Sequence, residues 1–217
     1  MTADQPTVDE SRWKDLLRVL PKYGGTTPKE LRLLYDLASR VRRNCIVEIG
    51  CFLGRSTIVL ASATKAAHGV PVFAIDPHET ALGAMGAPFG PDDRAAFFRN
   101  LLNADVADVV SLVNLRSLDA ARGWNRNISL LFVDGDHRYE AVRDDFNAWS
   151  PHVAPSGAIL FHDAFNPDLG VGRVVEQAVA SGGYERVFDV GKICGLRKLP
   201  VRGNTRVVKK ADSGSST

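Results

Sequence analysis

Two short stretches concentrate groups able to hold cations and move protons. Asp134-Gly135-Asp136-His137 follows the apolar run Leu131-Phe132-Val133, and His162-Asp163 follows a second apolar run ending at Phe161. Carboxylates supply hard oxygen donors, and an imidazole titrating near neutral pH can accept a proton from a hydroxyl. Plainer readings stand beside this one: Asp134-Gly135 as a turn, His137 as a helix cap, His162-Asp163 as a polar loop. What weighs against them is repetition. Earlier apolar runs of the same kind end in Glu48 and Gly50, in Asp76, and in Asn114 and Ser117. Ligands bind outside the carboxyl ends of strands in an open parallel sheet, so a series of polar strand ends describes one cleft.

Such a cleft requires a sheet to build it. Short runs rich in β-branched residues predict strands at 45–49, 72–75, 109–113, 130–133 and 158–161, with helices between them near 56–66, 94–103 and 139–149. A helix at 172–180 follows, then a strand pair, 184–190 and 193–199, turning at Gly191-Lys192. Ahead of the first strand, Thr27, Pro28 and Glu30 form a helix-start signal, and Leu31, Leu34, Leu37, Ala38 and Val41 recur at helical spacing. A shorter helix is expected around residues 13–20. The segment 79–93, with Gly83, Gly86, Gly90, Pro88 and Pro91 around Met85 and Phe89, suits a mobile lid beside the cleft.

The remaining composition narrows the class. A chain of 217 residues with 45% hydrophobic and 24% charged residues has the makeup of one globular domain, expected at 11–200, with a flexible segment at 1–10 and a basic, disordered tail at 201–217. A net charge of +2, with Arg202, Arg206, Lys209 and Lys210 in that tail, gives no field that calls for nucleic acid. No basic-then-apolar leader and no membrane-length apolar run is present, so the expected location is cytoplasmic, with no membrane partner. Cys45, Cys51 and Cys194 have no metal-type spacing and read as small core residues in a reducing compartment.

The stretch from Val47 to Thr57 is a strand, a glycine-bearing turn and a helix start. Glycine lets the backbone approach a ligand, and free amides at a helix N-terminus favour a carboxylate or phosphate. Ser56 and Thr57 also suit plain helix caps. A nicotinamide dinucleotide would want three glycines at G-x-G-x-x-G, whereas here Gly50 and Gly54 are separated by three larger residues and preceded by Glu48. The acid, the glycine turn and the second acid, Asp76, resemble class I methyltransferases. That resemblance implies a Rossmann-like, doubly wound α/β fold: a mostly parallel seven-stranded sheet with an antiparallel last strand, here with an N-terminal helical extension. It implies S-adenosylmethionine as cofactor, with Glu48, Gly50 and Ser56 at its methionine end, Asp76 on the ribose hydroxyls, and Ser117 with Arg116 beside the adenine; His78 is left either at the adenine or at a plain strand end.

Asp134-Gly135-Asp136-His137-Arg138-Tyr139, with Val142 and Asp145 beyond it, resembles a branch of metal-dependent sugar O-methyltransferases. By that resemblance Asp134 and Asp163 hold Mg2+, Asp134 also borders the cofactor, and His137 is the base. Asp136 would orient His137 or meet substrate hydroxyls. Relatives place an acid at position 162; His162 here is left as a ligand, a support for Asp163 or a substrate contact. The implied reaction is methyl transfer to a sugar hydroxyl, with a mannoside or short methylated manno-oligosaccharide as acceptor and a role in polysaccharide synthesis, by a homodimer. The alternatives are an aromatic-diol O-methyltransferase, whose ring clamp would draw on Phe89, Trp124 and Trp149, and a non-catalytic S-adenosylmethionine-binding protein.

Overall fold

The computed structural model describes residues 10–83, 86 and 88–200. The tail expected at 201–217 and the lid residue Met85 lie outside the described residues, as do residues 1–9 of the expected flexible segment. Glu10, assigned to that segment, instead opens a helix.

Two helices precede the sheet, α1 (Glu10–Val19) and α2 (Pro28–Ala38). The start of α2 is a reciprocal cap: the Thr27 hydroxyl accepts from the Glu30 N–H at 3.4 Å, and Glu30 Oε2 accepts from the Thr27 N–H at 2.7 Å. Leu31, Leu34 and Ala38 form its buried stripe. The chain then runs through β1 (Cys45–Ile49), α3 (Arg55–Ala67), β2 (Val72–Ile75), the two-stranded hairpin β3 (Ala81–Leu82) and β4 (Pro88–Phe89), and α4 (Pro91–Asn103). It continues as β5 (Val110–Val113), α5 (Ser117–Arg122), β6 (Ile128–Val133), α6 (Tyr139–Trp149), a 3-10 turn (Ser150–His152), β7 (Val153–Phe161), α7 (Val171–Ala180), β8 (Tyr184–Val190) and β9 (Ile193–Lys198).

Seven strands form one sheet in the order β5-β2-β1-β6-β7-β9-β8. The first five are parallel, and β9, last in the chain, lies antiparallel between β7 and β8. Strand order reverses at β1, whose neighbours are β2 and β6, and this switch point is where an open α/β sheet leaves a crevice. All five residues of β1 are buried, as a strand covered on both faces requires. One face packs Ile46, Leu130 and Phe132 against Leu31, Leu34, Ile58, Leu60 and Phe97. The other packs Val47, Leu131 and Ile159 against Val142, Trp149, Val171 and Val175. Each such side chain contributes about 1.5–3 kcal/mol on burial.

Several elements depart from the sequence expectation. Helix α5 was not expected; only Ala120 and Ala121 are buried in it, so six residues carry no readable period. Helix α4 begins at Pro91 rather than 94, with Asp93 Oδ2 accepting the Gly90 N–H at 2.8 Å. Strand β7 begins at Val153 rather than 158, its early part masked by Pro155, Ser156 and Gly157. The segment expected to form a mobile lid carries the β3–β4 hairpin, and Phe89 packs edge-on against Phe52 at 5.0 Å. No helix among the described residues is long and apolar enough to cross a membrane.

Candidate active site

Where β1 ends, the chain must turn beneath the end of β6. Gly50 adopts φ +83°, and a Cβ there would stand 2.4 Å from the Asp134 carbonyl oxygen and 2.5 Å from Gly135 Cα. Only glycine fits so close an approach. The Asp134 N–H donates to the Ile49 carbonyl at 2.9 Å, so the expected cofactor loop and the expected chemical site share a backbone contact. Gly54 precedes α3 at φ +87° with no side-chain cap, leaving the amides of the first turn free of side-chain partners. Ser56 and Thr57 are not caps. Both hydroxyls donate to the carboxyl group of Glu48, one to each oxygen, and all three side chains are buried. Burial pushes the Glu48 pKa up to about 8, against the lowering effect of those two hydroxyls.

Asp76, at the end of β2, ties the next loop down. Its Oδ2 accepts from the Phe52 N–H and its Oδ1 from the His78 N–H, each at 2.9 Å. His78 is buried and pairs through Nε2 with the Phe52 carbonyl at 2.8 Å. Phe52 and His78 both have positive φ, 43° and 46°, so this clasp holds two left-handed residues against each other. Ser117 does not end a strand: it opens α5, and its Oγ accepts from Trp149 Nε1 at 2.7 Å. It also hydrogen-bonds Asp145, whose pKa burial pushes up to about 6. Arg116 pairs with Glu79 at 2.6 Å on the surface.

The ends of β6 and β7 bring four predicted residues together. His162 Nδ1 lies 3.0 Å from Asp134 Oδ1 and 3.2 Å from Asp163 Oδ2. His137 Nε2 lies 3.4 Å and 3.6 Å from the same two oxygens. Asp136 stands apart and pairs with Arg138 in place of orienting His137. Burial alone would lower the His162 pKa, but Asp134 and Asp163 lift it to about 10. Burial would raise Asp163, and His162 with Lys192 instead hold it well below the usual carboxylate range. Asp163 has φ 54°, a strained setting for a non-glycine residue.

Two contributors were not read from the sequence. Lys192, on the β8–β9 turn, places Nζ 3.0 Å from Asp163 Oδ1. Glu30, legible only as a helix-start acid, is fully buried; its Oε1 accepts the Lys192 N–H at 2.6 Å and its Oε2 lies 3.6 Å from His162 Nε2. Its carboxyl pKa is lowered: burial opposes this, and the N–H groups of Thr27 and Lys192 prevail. Lys192 and His162 are both remote from Glu30 in sequence, so its role at the site was invisible there.

The cluster fits a divalent metal. Among the described residues, His137 Nε2 and His162 Nδ1 are buried without a hydrogen-bond partner, although both face carboxylate oxygens. Ligand atoms of Asp134, His137 and His162 all lie within 4.8 Å of one another. Buried polar atoms that converge without bonding one another are what a coordinated ion would satisfy.

Comparison with known proteins bears on the family and the fold. A methyltransferase domain family model matches residues 47–164. Among solved structures, cofactor-bound Rv0187 from MTB superposes with a TM-score of 0.67 at 18% identity, covering 92% of this chain and 99% of that one. An O-methyltransferase from Bacillus cereus in complex with SAH gives 0.65 at 19% identity over 89% and 93%. CalS11, a TDP-rhamnose 3'-O-methyltransferase, gives 0.58 at 15% identity over 91% and 96%. At these identities the likeness concerns the fold. A curated protein of Sinorhizobium fredii is 41% identical over 46 residues, 21% of this chain and 5% of that protein. The chain likewise spans only 16% of a mimivirus protein that it matches at 47% identity over 36 residues.

Proposed function

Since the chain belongs to the methyltransferase domain family, we propose that it transfers a methyl group from S-adenosylmethionine to a sugar hydroxyl, assisted by a divalent metal and a histidine base. The observation that carries this reading is the convergence of Asp134, Asp163, His137 and His162 one backbone contact away from the Gly50 turn. Methyl donor and acceptor oxygen must meet about 3 Å apart, and such adjacency is the positioning that methyl transfer needs.

The roles follow from placement. The free amides at the start of α3 receive the cofactor's carboxylate, with Glu48 behind them and Gly50 making room. Asp76, already fixed by two backbone N–H groups, offers its remaining lone pairs to the ribose hydroxyls. The Ser117 end of α5 borders the adenine. Asp134 and Asp163 would hold the metal, which when bound supplies the Lewis acidity that makes a sugar hydroxyl a usable nucleophile. His137 takes the hydroxyl proton as the new O–CH3 bond forms and the S–CH3 bond breaks, releasing SAH and the methyl ether.

For the acceptor, a mannoside or short manno-oligosaccharide is placed first, on the resemblance of the Asp134 to Tyr139 stretch; the fold is shared with a protein described as a sugar O-methyltransferase. The aromatics that would clamp an aromatic diol are engaged elsewhere. Trp124 and Trp149 pack on each other, the latter tied to Ser117, and Phe89 packs on Phe52. Incubation with methyl-labelled cofactor and a panel of mannosides, other sugars and catechols tests the reading. Labelled methyl ethers of sugars are expected; label confined to catechols, or to no acceptor despite measured cofactor binding, would refute it.

A further inference from the structure

Position 162 sets an imidazole beside the carboxylates of Asp134 and Asp163. His162 is 1% exposed and cannot swing out to solvent. Its Nδ1 sits 3.0 Å and 3.2 Å from the nearest oxygens of Asp134 and Asp163. A first-row dication with bonds of about 2.0–2.2 Å sets neighbouring donors about 2.9–3.5 Å apart, and both separations from Nδ1 are of that size. Glu30 Oε2, fully buried, lies 3.6 Å from Nε2, a charge contact longer than a hydrogen bond, on the side from which a carboxylate orients a ligating histidine. Lys192 occupies Asp163 Oδ1 and leaves Oδ2 for the cluster, so Asp163 offers one oxygen rather than two.

We propose that His162 is a third metal ligand through Nδ1, beside Asp134 and Asp163, and that this mixed nitrogen and oxygen set selects a borderline first-row dication such as Co2+ or Zn2+ over Mg2+. The chemistry follows from softness: imidazole favours later first-row dications, whereas Mg2+ demands oxygen donors and surrenders water reluctantly. Glu30 acts through His162 as a positioning residue, which gives the N-terminal extension a part in the site. The inference rests on the metal-assisted reading above and changes the identity of the ion.

The full chain, stripped with chelator, is titrated calorimetrically with Mg2+, Mn2+, Co2+ and Zn2+, and the Co2+ form is examined by visible absorption. Co2+ and Zn2+ are expected to bind more than about tenfold tighter than Mg2+. His162→Asn should lose the Co2+ bands, His162→Asp should narrow the preference toward Mg2+, and Glu30→Gln should weaken Co2+ binding by about 10- to 100-fold. Mg2+ binding as tight as Co2+ by the unaltered chain overturns the inference, and that comparison needs no variant. A Co2+ spectrum altered by His137→Ala and not by His162→Asn also overturns it. A preference for Mg2+ sinks only this inference, whereas a chain that binds no divalent ion removes the metal from the functional reading too; methyl transfer is measured separately.

Discussion

His137 and His162 face the same two carboxylate oxygens from different elements, and burial separates their tasks. His162 is closed in among Asp134, Asp163, Glu30 and Phe132, while the His137 side chain keeps 17% of its surface open. On the proposed reading, the exchangeable proton leaves through His137. His137→Ala should lower kcat by about 100- to 10,000-fold while cofactor affinity by calorimetry stays near that of the parent. A turnover number that barely moves, with His162→Ala inactive yet still metal-loaded, would reassign the base. Asp145 gives a second test at this scale. Its folded pKa, about 6, stands above the ordinary carboxylate value, so between about pH 4 and 6 the folded chain binds the extra proton. Stability from this group is thus lost as pH rises through that window. Asp145→Asn keeps an acceptor for Ser117 and should stabilise the protein at pH 7.5 by about 1–3 kcal/mol, but not at pH 4. Equal denaturant midpoints for the two proteins at pH 7.5 would show that the buried carboxylate is not penalised.

Elements were legible in proportion to how much they bury. Helix α6, with Val142, Asp145 and Trp149 inward, was bounded from its periodicity, as were β1 and β2 from their apolar runs. Helix α5 and the early part of β7 escaped because one is short and mostly exposed and the other is interrupted by Pro155 and a left-handed Ser156. The β8–β9 turn was located correctly, yet its contribution was not, since Lys192 meets Asp163 only through the antiparallel insertion of β9 beside β7. Glu30 buttresses that turn. A Cβ on Gly191, at φ +59°, would fall 2.4 Å from Glu30 Oε1. Gly191→Ala should therefore cost about 1–3 kcal/mol in chemical denaturation and displace Lys192 from Asp163. Unchanged stability would mean that the turn and α2 are not mechanically joined.

At the scale of the molecule, the sheet's order reversal brings two halves of the site to one edge: the Gly50 turn and Asp76 from β1 and β2, the acids and imidazoles from β6 and β7. Polar strand ends announced this cleft in the sequence, because a parallel sheet aligns its carboxyl ends. The distances within it, and the contacts that Ser56, Asp136 and Ser117 make in place of open solvent, depend on packing between segments remote in sequence. Methyl transfer and metal dependence are joined in one measurement: formation of labelled methyl ether from a mannoside by the chain after chelation, verified metal removal and add-back. The account predicts that turnover disappears on removal and returns with divalent metal, and that Asp134→Asn and Asp163→Asn remain inactive after add-back. Full turnover by verified metal-free protein, or by either variant, would contradict it.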